Sequence, residues 1–240
     1  MQYKPPWNLI TILFFISFSL YACVFPEQET EQLIPTASYE FPETIDPSSF
    51  YMFYLHGKII EDQGIPAISP EFGQYEFEAI LEKLSSYGFI LIGEKRAQNT
   101  NPEVYARKVA DQVNILLDTG VPPENISVVG ASKGAGITIY VSNFLKNKEI
   151  NYVLLAICHP DQVLFFIQEG ISLEGNVLSI YDSNDQYAGT CQELFTYSKG
   201  SGVGRFDEIV LEIGIGHGIL YQPFDEWILP TVHLADMNTQ

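Results

Sequence analysis

A chain of 240 residues and 27.0 kDa has room for one domain of ordinary to large size once a targeting segment is set aside. Hydrophobic residues at 46% against charged residues at 18%, with 16 Phe and 14 Tyr, exclude a disordered chain. The 30 acidic and 12 basic side chains leave a net charge of -18, which opposes binding to nucleic acid or anionic lipid. Cysteines occur only at 23, 158 and 191, too few for a disulfide scaffold and without the C-x-x-C spacing of a structural zinc site.

In chain order, Lys4 precedes Pro5, Pro6 and Trp7, and then an apolar run from Leu9 to Leu20. That run falls short of the ~20 residues a membrane span needs. A positive start, an apolar middle and a small residue before a break predict a secretory signal over residues 1–22. The break, Leu20-Tyr21-Ala22-Cys23, resembles the lipobox of bacterial lipoproteins, although Tyr21 is bulkier than that family usually carries. The resemblance implies a diacylglyceryl group on Cys23 and a lipid-anchored protein of a bacterial envelope. With simple cleavage, Cys23 is an ordinary thiol and the protein is periplasmic or secreted. Residues 23–48 mix Glu with Pro26, Pro35, Pro42 and Pro47, a composition expected to stay extended as a spacer.

From residue 49 to 240 a single α/β domain is predicted, because short apolar runs alternate with amphipathic segments. Phe50 to Leu55 is the first strand. Phe77, Ile80, Leu81 and Leu84 repeat at helical spacing and stop at Gly88, and Phe89 to Ile92 is a strand again. Asn101 and Pro102 open a helix with the stripe Val109, Val113 and Leu116, closed by Gly120. Then follow a strand Ile126 to Val129, a helix to about Leu145, and strands at Tyr152 to Ile157, Val177 to Tyr181 and Ile209 to Ile213. These six strands are near-continuously apolar, as in a mostly parallel sheet of six to seven strands with helices on both faces. Ser38 to Phe41 can add an edge strand. Gly200 to Gly204 reads as a flexible loop, and no internal repeat is present.

The sharpest local pattern is Gly130-Ala131-Ser132-Lys133-Gly134, a G-x-S-x-G between a strand and a helix. Small flanking residues allow the tight turn that presents a serine hydroxyl as a nucleophile. A serine needs a base, and the base needs a third group to orient it. Of His56, His159, His217 and His233, the one just past the last strand, His217, is best placed, with His159 next. The acid is Asp185, in the loop after Val177 to Tyr181, or Asp182 before it.

The order Ser132, Asp185, His217, each after a strand, resembles the α/β-hydrolase fold. His56-Gly57 after the first strand is a second mark of that family. The resemblance implies an oxyanion hole from the backbone amides of Lys58 and Lys133, with His56 shaping the loop. The family's N-terminal antiparallel strands are not evident, and Asp182 stands where many relatives have glycine.

Gly214 to Gly218 lacks the G-x-G-x-x-G spacing and Gly130 to Gly136 lacks the G-K-[ST] order, so no cofactor is expected, nor a metal. Only about 20 residues separate Ile157 from Val177, leaving no space for a large cap; Val163 to Ile167 can form a small lid or acyl pocket, or plain core. Lys58, Lys95, Arg96 and Lys133 all follow strand ends, which suggests an anionic small-molecule ester as substrate, unless they pair with Glu61, Asp62 and Glu94. Cys158 and Cys191 follow strands in the same half of the sheet and can form a disulfide in an exported protein. The expected activity is a serine hydrolase cleaving a carboxylic ester or thioester. A peptide or amide hydrolase, or a surface binding protein that has lost turnover, are the alternatives.

Overall fold

The computed structural model describes residues 1–2, 39–200 and 203–236. The chain divides into two units, Met1–Ala37 and Ser38–Gln240. The expected signal peptide, the expected lipidation position Cys23 and most of the expected spacer lie outside the described residues, as do residues 201–202 of the expected glycine-rich loop.

Six strands, β1 (Tyr51–Leu55), β4 (Ile90–Ile92), β5 (Ile126–Ala131), β6 (Asn151–Leu155), β7 (Gly175–Asp182) and β8 (Val203–Leu211), form one parallel sheet in the order β4-β1-β5-β6-β7-β8. The side chains of β1 alternate between two cores, Tyr51, Phe53 and Leu55 in one and Met52 and Tyr54 in the other. Helices α3 (Pro102–Asp118), α4 (Lys133–Leu145), α5 (Pro160–Gln168) and α6 (Gln192–Ser198) cover the first face. Helices α1 (Lys58–Gln63), α2 (Phe77–Ser85) and α7 (Asp225–Asp236) cover the second. Burial on both faces explains why these strands lack a polar alternation.

Local chemistry sets the helix ends. Asn101 accepts a hydrogen bond from the Val104 amide (3.0 Å) ahead of Pro102 at the first turn of α3. Gly88 and Gly120 take positive φ just beyond α2 and α3. Between α1 and α2 a small antiparallel hairpin, β2 (Ala67–Ser69) and β3 (Gly73–Tyr75), escaped the sequence reading because three-residue strands carry too little periodicity.

Three expectations are corrected. Residues 39–48 are not spacer: Tyr39 accepts from the Gly93 amide (2.7 Å), and Phe41 and Ile45 pack on the core. They also form no edge strand. Gly204 lies within β8, which begins six residues earlier than expected and pairs along β7 from Gly175 onward. The short apolar helix expected over Val163 to Ile167, by contrast, is present within the nine-residue α5 between β6 and β7.

The chain leaves β1 to build β4 on one side, then returns to build β5 on the other side of β1. This reversal opens a crevice at the C-terminal ends of β1 and β5, the place where open α/β sheets hold ligands.

Candidate active site

Ser132 sits at that crevice, directly after β5. Its amide donates to Leu155 O (2.9 Å), and its backbone (φ 52°, ψ -116°) occupies a conformation L-residues rarely adopt. Such a turn needs its neighbours to be small. A Cβ built on Gly134 would stand 1.8 Å from Leu55 O, and one on Gly130 would stand 2.3 Å from Gly134 O. The two glycines of the G-x-S-x-G pattern therefore let α4 close directly onto β1 and β5.

His217 lies in a 3-10 turn, Gly216–Leu220, beyond β8, entered through positive φ at Gly214 and Gly216. Its Nε2 is 3.0 Å from Ser132 Oγ and its Nδ1 is 2.7 Å from Asp185 Oδ2. The other carboxylate oxygen of Asp185 accepts from the Tyr187 amide (2.8 Å), and its side chain is fully buried. Acceptance by Asp185 assigns the proton to Nδ1 and leaves Nε2 facing the serine hydroxyl as a base. The rings of Phe72 and Tyr187 flank the imidazole, with centroids at 6.4 and 5.4 Å. Asp182 instead accepts from the amides of Asn184, Ile213 and Gly214, bracing the loops that carry Asp185 and His217. His159 heads α5 with Nδ1 3.8 Å from Asp161, and His233 is exposed in the last turn of α7.

The amides of Lys58 and Lys133 each begin a helix, where no intrahelical carbonyl is available to them. Gly57 brings the first close to the nucleophile: a Cβ there would be 3.8 Å from Ser132 Cβ. His56 holds this loop from below. Its Nε2 accepts from the Arg96 amide (2.9 Å), so Nδ1 carries the proton and donates to Gly57 O (2.8 Å). Burial first, and the Arg96 guanidinium second, lower its pKa to about 3, so the ring is neutral. Tyr75 supports the same loop through the Gly57 amide and shares a 2.8 Å hydrogen bond with Tyr54; burial pushes its phenol up to about 12.

For Arg96, Lys133 and Lys58 the structure shows the alternative reading, ion pairing with Glu61 and Asp62, and Arg96 is thereby withdrawn from any substrate role. Arg96 is 2% exposed, donates to Glu61 Oε1 (2.7 Å) and to His56 O, and is not open to a substrate. Lys133 Nζ donates to the second oxygen of Glu61 and to Thr100 O (2.7 Å), and Lys58 pairs with Asp62. Lys95 lines a separate cleft with Tyr39, Glu40 and Phe77. Glu94 pairs with Lys108 rather than with any of these. Charge balance inside the fold, which strand-end position cannot reveal, accounts for the correction.

Two clefts meet at Ser132. One, about 410 Å³, contains Ser132, His217, Ser69, Glu71, Gln162 and Tyr187. The other, about 650 Å³, contains Ser132, Gly136, Tyr140, Ile157, Phe165 and Phe166. The sequence did not announce either, apart from the apolar run of α5, because their walls come from segments far apart in the chain. Cys158 and Cys191 are joined in a disulfide beside this region. Among the described residues no cluster of three or more His, Cys, Asp or Glu side chains has the arrangement of a metal site.

No family model and no curated protein matches the chain. Solved structures do. An α/β-hydrolase candidate of unknown function from Agrobacterium tumefaciens superposes with a TM-score of 0.55 at 17% identity, over 81% of this chain and 87% of that one. A sugar hydrolase from Lactococcus lactis gives 0.53 at 11% identity, over 84% and 92%. A point variant of SOBER1 from Arabidopsis thaliana gives 0.51 at 13% identity, over 79% and 100%. The chain has the α/β-hydrolase fold.

Proposed function

We propose that the protein is a serine hydrolase that cleaves a carboxylic ester or thioester through an acyl-enzyme. The observation that carries this reading is the unbroken hydrogen-bond path from Ser132 Oγ through His217 to Asp185, at 3.0 and 2.7 Å, starting on a strained turn. Ser132 Oγ bonds to the carbonyl carbon while its proton passes to His217 Nε2, and Asp185 stabilises the imidazolium. The carbonyl oxygen becomes an oxyanion between the amides of Lys58 and Lys133. The bond to the leaving oxygen or sulfur then breaks as His217 returns the proton to it. Water repeats the sequence on the acyl-enzyme and releases the acid. Export with a lipid anchor at Cys23, followed by a spacer, belongs to the same reading and rests on the N-terminal residues alone.

Fluorophosphonate labelling tests it. Wild type is expected to be labelled, Ser132→Ala not at all, and ester turnover in His217→Ala or Asp185→Asn to fall by about 10⁴-fold. Asp182→Asn should keep labelling while lowering stability, since its carboxylate only accepts backbone amides. Labelling that survives Ser132→Ala refutes the assignment.

A further inference from the structure

The two clefts differ in which catalytic groups they contain, and this difference fixes how a substrate lies. His217 must protonate the departing oxygen, so the leaving group has to stand on its side of Ser132. His217 borders the smaller cleft and not the larger one. The oxyanion takes the direction of the Lys58 and Lys133 amides, and the acyl substituent takes the one that remains. That direction leads into the larger cleft, which borders Ser132 without the imidazole.

The larger cleft is apolar. Tyr140, Phe165 and Phe166 line it edge to face, with ring centroids 5.7 Å apart for each neighbouring pair. Phe165 packs against Phe166 and still leaves 47% of its surface exposed. Of the charged residues lining it, Lys58 and Lys133 are already paired with Asp62 and Glu61, and Asp161, its side chain 92% exposed, disfavours an anionic acyl group. Gly136 is the most telling residue. It lies in the first turns of α4 without positive φ, and a Cβ there would meet only Phe166 Cζ at 3.9 Å. Unlike Gly130 and Gly134, it is not demanded by packing, yet glycine weakens a helix. What its missing side chain leaves is room in the cleft next to Ser132. The smaller cleft, by contrast, offers Ser69, Glu71 and Tyr187 as polar groups, while Gln162 lines both clefts.

We propose that the larger cleft is the acyl site and the smaller one the alcohol site, so that the substrate is an ester of a bulky, uncharged, aromatic acid with a polar alcohol. This rests on the hydrolase reading above and deepens it. Bulk and apolarity are selected by Gly136, Tyr140, Phe165 and Phe166; the alcohol is met by Ser69, Glu71 and Tyr187.

Kinetics on matched esters test the assignment. With glycerol as the common alcohol, kcat/KM for the 3-phenylpropanoyl ester is expected to exceed that for the acetyl ester by about 10- to 100-fold. Phe165→Ala removes a wall and Gly136→Leu fills the cleft; each is expected to bring that ratio to within about threefold of unity. Both positions tolerate change without a backbone clash, and fluorophosphonate labelling of each variant reports an intact nucleophile. A labelled wild-type enzyme with no acyl preference, or a preference untouched by both substitutions, overturns the proposal. So does a preference for 3-phenylpropyl acetate over glyceryl acetate, which would reverse the two clefts. Wild type that takes no label at all refutes the hydrolase reading itself, and the proposal with it.

Discussion

Glu61 satisfies two cations with one carboxylate, Arg96 at one oxygen and Lys133 at the other, with its own side chain fully buried. It lies one turn after Lys58 on α1, so it ties that helix, which bears one of the two proposed oxyanion amides, to Lys133, which bears the other. Glu61→Gln leaves two cations without a counter-charge. The expected cost is about 3–5 kcal/mol in urea unfolding, with kcat reduced more than KM is changed, because the amides act on the transition state. His56 predicts a pH effect. Its folded pKa, about 3, lies below the ordinary 6.5, so the unfolded chain binds the extra proton between those values. Its contribution to stability is complete above 6.5 and falls as the pH drops toward 3, by up to about 1.4 kcal/mol per pH unit. Urea midpoints at about pH 7 and about pH 5 should drop further for wild type than for His56→Gln, which shares every carboxylate; equal drops would exclude the role. Ser132, Asp185 and His217 were legible in the sequence because each follows a strand and few histidines compete. Arg96 was misread because a position after a strand says nothing about which way a side chain turns, and here it turns inward to Glu61 and the His56 carbonyl.

At the scale of elements, all six strands of the sheet were legible because burial on both faces makes them runs of apolar residues bounded by turns. The helices with an apolar stripe and a cap, α2 and α3, were equally plain. What stayed hidden was short or polar: α1, whose six residues include buried Glu61; the β2–β3 hairpin; and the N-terminal half of β8, whose glycine and charged residues read as loop. Of these, α1 and the hairpin line the crevice through Lys58, Ile59, Ser69 and Tyr75, and in all three tertiary contact overrides local preference. The glycines of α4 separate packing from propensity in one helix. Gly134→Ala would push a methyl group into the Leu55 carbonyl, where backbone cannot yield, and is expected to cost at least about 3 kcal/mol and to abolish labelling of Ser132. Gly136→Ala, one turn-step away, meets no such contact and is expected to raise stability by up to about 1 kcal/mol. Thermal melts of the two variants should move in opposite directions.

Across the whole domain, Ser132 and Asp185 belong to different parts of the sheet, and the Cys158–Cys191 bond joins their surroundings. Cys158 follows β6 in the segment whose Ala156 and Ile157 border the two clefts. Cys191 begins α6, shortly after the Asp185–Tyr187 loop, and its amide donates to Glu208 on β8 (2.7 Å). A bridge between Cys158 and Ala188, and a 2.9 Å hydrogen bond from the Gly189 amide to Ile157 O, run alongside the disulfide. The bond closes a separation of 33 residues, which in the chain-entropy account restrains the unfolded state by about 3–4 kcal/mol. Both cysteines are buried, at 1% and 0% exposure, so a reductant reaches them only when the domain opens locally. Joint replacement by Cys158→Ala and Cys191→Ala is therefore expected to lower Tm by roughly 10 °C for a domain of this size. Dithiothreitol should bring wild type to the same value only when present during heating, and should leave activity at low temperature intact over the same incubation. A melt indifferent to both the substitutions and the reductant would mean that the paired backbone of Cys158 to Gly189, not the covalent bond, holds the acid loop against the nucleophile's side of the sheet.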